Sequence, residues 1–450
     1  MAIPSCMPSR AVQRNIAAKS RRASSRSVVM VLIALSSQVR SKTPSLAGIS
    51  RVAQCKIALP PPNGQQGVFT GCAKAGGGVK YRHPIAATPD RFFVPDQGTS
   101  SASNPPGNRR ASGLSLFQAM AGAPQGGAEL FFERLATSFQ NAGVRQRLMI
   151  KPAGGRADRL AAAGVDVTAC SYSPMLAALH RRQLAGAIAA SRANVVLSWM
   201  NRATSMVPKT KVPHVARLGG FYKLKHYRSC DWLVANTRGI ADYLVREGVP
   251  ADRVHHQINF VPDGADGPAF DGPRHGGPVI AALGRLHTNK AFDTLIRAFS
   301  GIDEGTLWIA GDGPERGRLE ALAAECGVAG RVWFPGWLDD PQSVIRGADI
   351  FVCPSRHEPF GNVIAEAMSC ARPVISTRSH GGEELVEDGV NGLLVPVDDV
   401  AAMTDALAQL AGDRTLASQL AAGGRATWAA SLSPEKVTAD WIDFLSRVSA

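Results

Sequence analysis

The sequence predicts two doubly wound α/β domains in tandem, and three observations point there. From residue 114 onward, short apolar runs alternate with amphipathic helical stretches, which implies crossover connections and parallel sheets. The alternation lapses at residues 257–278, QINFVPDGADGPAFDGPRHGGP, where Gly, Pro and Asp cluster, and then starts afresh. The roughly 340 residues beyond the first 110 are enough for two domains of ordinary size.

In chain order, the first run LSLFQ leads through GGAE into the helical stretch LFFERLATSFQNAG, and RLMI, VDVTAC, NVVLSW, HVARL and WLVAN follow as strands. After the lapse come VIAALGRL, TLWIAGDG, VWFPG, IFVCPS, PVIST and GLLVP, each followed by a turn or helical segment. The final SPEKVTADWIDFLSRVSA offers Ser433 as a helix N-cap with Glu435 in the first turn. The expected divisions are a basic segment at 1–112, a first Rossmann-like domain at 113–262, a second at 263–432 and a terminal helix at 433–450. Ligands of such sheets lie beyond the carboxyl ends of the strands, so two facing domains predict a site in the cleft between them.

The net charge of +14 belongs to one end of the chain. Residues 1–110 hold sixteen of the fifty Lys and Arg and two of the thirty-six acidic residues, which leaves thirty-four of each sign for the rest. This Ser-, Pro- and Gly-rich segment reads as poorly ordered or foreign to the fold. A transit-type targeting sequence, a basic arm for nucleic acid or anionic lipid, and an upstream extension of the reading frame all account for it, and the last is preferred. The apolar run at 28–35 is short for a secretory signal and far too short to span a membrane. Beyond it, Cys170, Cys230, Cys326, Cys353 and Cys370 show no C-x-x-C spacing and are expected to be buried free thiols.

Chemistry concentrates at predicted strand ends. In GRLHTNKAF, Gly284, Arg285 and Lys290 follow a strand and precede a helix, a placement that suits a phosphate-bearing ligand, although two solvated charges are the commoner meaning of such a pair. GDGPER places Gly311 and Gly313 before a helix expected at Pro314 or Glu315. In SRHEPFGNVIAEAMSC, Pro359 disfavours helix at Glu358, so Glu358 belongs to the loop. A helix starting at Gly361 or Asn362 presents free N–H groups to an anion and carries Glu366 in its second turn. Its dipole, with Arg285 and Lys290, is expected to keep both carboxylates ionised, as acceptors for hydroxyls rather than as an acid/base pair. No Asp-x-Asp or His cluster suggests a metal. Gly126 and Gly127 would let backbone approach from the first domain. The basic-aromatic stretch RLGGFYKLKHYRSCDW suits an anionic acceptor or a membrane surface, and is equally readable as a helix with one solvated basic face.

These residues resemble the retaining GT-B-fold glycosyltransferases of family four, which include bacterial cell-surface and lipopolysaccharide core transferases. The resemblance runs over 114–449 and is densest over 279–396, where Glu358 and Glu366 form a Glu-x7-Glu motif among GRL…K, GDGPER, VWFPGW and GGEELVEDGVNGLLVP. It implies catalytic contacts from Glu358, Lys290 and Arg285: the two cations on the donor diphosphate, Glu358 on the transferred sugar. Gly284 belongs to the same diphosphate loop, and Phe360, Gly361 and Asn362 offer contacts beside the sugar. Glu366 would hold the ribose, Gly336 and Trp337 would face the base, and Gly127 would lie against the donor from the other domain. The terminal helix would return to the first domain.

The family pattern is broken in three places. Ala291 stands where Gly is usual, Leu218 and Gly219 stand where many members carry a His, and residues 1–110 have no counterpart. The resemblance implies a metal-independent transfer of a sugar from a UDP-, GDP- or ADP-sugar to a glycan or lipid-linked acceptor hydroxyl, with no cofactor beyond that donor. It further implies a cytoplasmic enzyme that makes peripheral contact with the inner membrane, and no nucleic-acid partner. A catalytically silent nucleotide-sugar binder and a nucleic-acid binder acting through the basic segment are the alternatives.

Overall fold

The computed structural model describes residues 113–124 and 126–450, so the expectations for residues 1–112 lie outside the described residues. The first sheet comprises β1 (Ser115–Met120), β2 (Arg145–Ile150), β3 (Asp166–Ala169), β4 (Val195–Trp199), β5 (His214–Leu218), β6 (Trp232–Ala235) and β7 (Val254–His256). All its pairings are parallel and its order is β3-β2-β1-β4-β5-β6-β7. Its helices are α1 (Gly127–Asn141), α2 (Arg156–Ala162), α3 (Ala177–Ser191), α4 (Met200–Met206) and α5 (Arg238–Arg246). β7 was not expected: Val-His-His has neither an apolar run nor an alternation, and it is a strand because β6 lies beside it.

The second sheet begins with β8 (Val279–Leu283), α6 (Phe292–Phe299), β9 (Thr306–Ala310), α7 (Arg316–Glu325), β10 (Val332–Gly336) and α8 (Pro341–Gly347). It continues through β11 (Ile350–Cys353), α9 (Asn362–Ser369), β12 (Val374–Thr377), α10 (His380–Leu385) and β13 (Leu393–Val395), in the parallel order β10-β9-β8-β11-β12-β13. α11 (Val400–Gly412) and α12 (Arg414–Thr427) follow, and a π-turn at Trp428–Leu432 leads into α13 (Pro434–Ser449). α7 starts at Arg316, slightly later than expected, with Glu315 at its N-cap. RLGGFYKLKHYR is not a basic-faced helix: it contains the end of β5 and a single 3-10 turn, Leu224–His226.

Each sheet is covered on both faces, as parallel sheets require. β8, β9 and β11 bury Ile280, Leu307 and Val352 under α6, α7 and α11 on one side, while Ala281, Trp308 and Phe351 face α8, α9 and the π-turn on the other. α13 leaves the second sheet and buries Val437, Trp441, Phe444 and Leu445 among Leu116, Phe132, Val195 and Val215 of the first. Ser433 caps it, accepting from the Lys436 N–H at 3.4 Å. Three of the expected buried thiols, Cys170, Cys353 and Cys370, are buried; Cys230 and Cys326 are half-buried, and all five are free.

Both sheets reverse strand order at one place, between β1 and β4 and between β8 and β11. A crevice opens at such a reversal because the connections on either side leave toward opposite faces. The loops that leave β8 and β11 are those that hold Lys290 and Glu358.

Candidate functional site

The β8 and β11 loops meet through charge. Lys290 Nζ and a Glu358 carboxylate oxygen form a direct ion pair, and Ser355 Oγ donates to the same oxygen at 3.4 Å. Burial pulls the Lys290 ammonium down, but the Glu358 carboxylate beside it outweighs burial, and its pKa ends above the usual lysine value. Arg356 ties the two loops together: its N–H donates to the Asn289 carbonyl at 2.9 Å, and its guanidinium reaches the Thr288 carbonyl at 2.6 Å and Asp293 at 3.0 Å. Arg285 stands apart: its side chain is exposed and has no hydrogen-bond or ion-pair partner among the described residues.

α9 begins at Asn362, as its sequence predicted, with Gly361 as N-cap at φ 89°. That left-handed conformation is nearly free for glycine and strained for other residues, and the Gly361 carbonyl accepts the Ile364 N–H at 2.9 Å. Glu358 stays in the loop, and its carbonyl accepts the Gly381 N–H at 2.7 Å. A Cβ on Gly381 would meet the Phe360 carbonyl carbon at 2.4 Å, so α10 approaches this loop closely only because position 381 is glycine. Phe360 is buried in the core under the loop.

The first lobe closes on this helix end. A Cβ on Gly127, the first residue of α1, would meet Asn362 Nδ2 at 2.9 Å. Asn362 Oδ1 accepts from Asn259 at 3.2 Å, and Asn259 Oδ1 accepts from Arg217 at 2.6 Å. Arg217 is buried at the carboxyl end of β5, with its guanidinium over the Phe131 and Trp199 rings, and burial lowers its pKa to about 10. Sequence reasoning placed Arg217 in a basic surface patch; its alternating position beside Val215 on a strand covered on both faces was the signal that it is buried.

Glu366, in the second turn of α9, is buried, and its Oε1 receives both terminal nitrogens of Arg134 from α1, each at 3.4 Å. Burial pushes its pKa up, and Arg134 opposes that shift. The expectation that Arg285 and Lys290 hold this carboxylate ionised is corrected: the cation beside it is Arg134. Nothing local in the sequence marks Arg134, which is 232 positions away.

Gly284 lies at the end of β8, where its N–H donates to the Ala310 carbonyl at 3.0 Å. Gly336 ends β10 at φ 81°, and Trp337 after it is 66% exposed. Among the described residues no three His, Cys, Asp or Glu side chains gather where they could hold a metal. His214 lies at the amino end of β5, opposite the rim where ligands bind, and bonds to Ser198 Oγ at 2.8 Å. An ammonium, a helix N-terminus and two carboxylates at a strand-order reversal can hold an anionic group with hydroxyls on either side of it.

The family profile described as "Glycosyl transferases group 1" matches residues 277–413, which span the second sheet and all of α11. The lipopolysaccharide core biosynthesis glycosyltransferase LpsE of Rhizobium meliloti (strain 1021) is 34% identical over 331 residues, 71% of this chain and 96% of that protein. LpsD of the same strain, likewise described as a lipopolysaccharide core biosynthesis glycosyltransferase, is 29% identical over 329 residues, 72% of this chain and 96% of its own. Among solved structures, Anabaena Alr3699/HepE in complex with UDP superposes with a TM-score of 0.65 at 19% identity, covering 74% of this chain and 100% of that one. That level of identity speaks to the fold, and it agrees with the two parallel sheets described above. With this fold, and with identity to LpsE running over nearly all of LpsE's length, the chain belongs to the group 1 glycosyltransferases of the GT-B fold and is an enzyme of hexosyltransferase type.

Proposed function

We propose that the enzyme is a retaining, metal-independent transferase that moves a sugar from a nucleoside diphosphate to a hydroxyl of a lipopolysaccharide core or lipid-linked glycan. The observation that carries this reading is the junction of Lys290, Glu358 and the N-terminus of α9 at the β8/β11 reversal, faced by Gly127 of the other lobe. The ammonium and the free amides of the first helical turn would take the diphosphate charge, with exposed Arg285 reaching it from the same loop. This supplies charge stabilisation without a metal or any cofactor beyond the donor. Glu358, paired with Lys290, would accept hydrogen bonds from the transferred sugar. Phe360, Gly361 and Asn362 would lie beside that sugar, Glu366 at the ribose, and Gly336 and Trp337 at the base. This reading requires no carboxylate nucleophile; the acceptor oxygen would attack from the face that the diphosphate leaves, and the diphosphate would take the proton.

The donor class is supported by this charge pattern and by the UDP bound in Alr3699/HepE. The acceptor class rests on the names of LpsE and LpsD. Exposed Lys223, Lys225 and Arg228 fit a peripheral contact with anionic lipid at the cytoplasmic face of the inner membrane. No nucleic-acid partner enters this reading.

A thermal-shift panel of UDP-, GDP- and ADP-sugars should give one donor that raises Tm by mass action, with the rise kept in EDTA. Lys290→Ala and Glu358→Gln should each lower transfer by about 100-fold or more, as loss of a preorganised charge contact does. Full transfer by either variant would remove the site assignment. A product of inverted anomeric configuration by NMR would remove the retaining mechanism, and activity lost in EDTA and restored by a divalent cation would remove metal independence.

A further inference from the structure

The Glu366 carboxylate is engaged on one side only. Its Oε1 receives Arg134 NH1 and NH2, while Oε2 has no donor among the described residues and is not among the sealed-off buried polar atoms. The backbone around it is already satisfied, because the Glu366 carbonyl accepts the Ser369 hydroxyl at 2.8 Å and the Cys370 N–H at 3.1 Å. A buried carboxylate with one oxygen pinned and the other open has room for one more donor, and a hydroxyl of the bound nucleoside fits that need.

The pin comes from the other lobe. Arg134 lies on α1, seven residues beyond Gly127, and Glu366 is the sole hydrogen-bonding partner of its guanidinium among the described residues. The charges facing Glu366 are Arg134 from α1 and, with opposite effect, Asp340 ahead of α8, itself paired with Arg346. Arg134 is therefore what offsets the cost of burying this carboxylate.

We infer that Arg134 is a positioning residue for the donor, which aligns Glu366 from across the cleft so that its free oxygen accepts a ribose hydroxyl. This rests on the assignment of Glu366 to the ribose proposed above. It means that the carboxylate of one lobe is fully formed only with the other lobe in place, which links nucleoside recognition to the approach of the lobes.

The test uses the full chain and whichever of UDP, GDP or ADP gives the largest thermal shift, alongside its 2′,3′-dideoxy form, in calorimetric titrations. The wild type should prefer the ribonucleotide by roughly ten- to a hundredfold, the range for a hydrogen bond to a charged group. Glu366→Gln should abolish most of that preference. Arg134→Met should do the same by weakening the ribonucleotide alone, with transfer showing a raised donor KM and little change in kcat, and Arg134→Lys should restore part of it. Arg134→Met that keeps the preference while Glu366→Gln loses it overturns the inference alone. So does Arg134→Met that weakens both nucleotides equally, since that marks a purely structural role. Glu366→Gln that keeps the full preference overturns the ribose assignment and the inference with it.

Discussion

Ala291 is a departure from the family pattern whose energetic cost can be weighed at a single residue. It follows Lys290 with φ 51°, the left-handed region where alanine costs about 1–2 kcal/mol relative to glycine. Its methyl is fully buried, and burial of one such group returns about 0.8 kcal/mol. The remaining flexibility of glycine in the unfolded chain costs a further few tenths to 1 kcal/mol, so the terms nearly cancel. Ala291→Gly should therefore leave the unfolding free energy within about 1 kcal/mol of the original and preserve transfer, whereas Ala291→Val, β-branched in the same conformation, should lose more than about 2 kcal/mol. Denaturant titration of both variants checks this, and a Gly variant stabilised by more than about 1 kcal/mol would contradict the balance. At this scale the sequence was informative where neighbours along the chain set the chemistry. Pro359 disfavours helix at Glu358, and Gly361 is the N-cap of the helix that begins at Asn362.

At the scale of elements, α13 matters more than its terminal position suggests. It carries Trp441, fully buried against Trp199 with ring centroids 6.4 Å apart, into the core of the first lobe, although the chain just before it packs on the second. Trp441→Ala should cost about 3–5 kcal/mol, the range for large aromatic deletions in cores. Trp441→Phe should cost much less, because the Trp441 Nε1 is buried without a partner and its loss is no penalty. Equal unfolding midpoints for the two variants would contradict this. The helical period and the Ser433 cap were legible beforehand, since both depend on residues within a few positions. The surface that the apolar stripe covers was not, because one stripe fits any apolar face of suitable width.

At the scale of the molecule, the fold should be sensitive to acid. His214 is buried and its pKa is lowered to about 4, mainly by burial, with Asp231 opposing. Well above its unfolded pKa of about 6.5 the imidazole is neutral in both states and contributes no slope. As pH falls from there toward 4, the unfolded chain binds a proton that the fold refuses, so stability falls, by about 2 kcal/mol at pH 5. Between pH 7 and pH 5 the unfolding free energy of His214→Gln should thus decline less than that of the original chain, by about that amount. Parallel declines would place the acid sensitivity elsewhere. The two lobes also meet through α10: the Arg238 N–H donates to Glu384 at 2.8 Å, and Phe221 lies 4.8 Å from the His380 ring.

The alternation of strands and helices, the loop positions of Lys290 and Glu358 and the helix start at Asn362 could all be read from the chain, because each depends on period, spacing or the backbone limits of Pro and Gly. The partners of those groups could not. Arg134 reaches Glu366 over 232 positions, Arg356 clamps the Lys290 loop over 68, and Arg217 finds Asn259 over 42. Such pairs exist only once separate elements have docked. Docking is set by the summed shape of many buried faces, which no local spacing encodes.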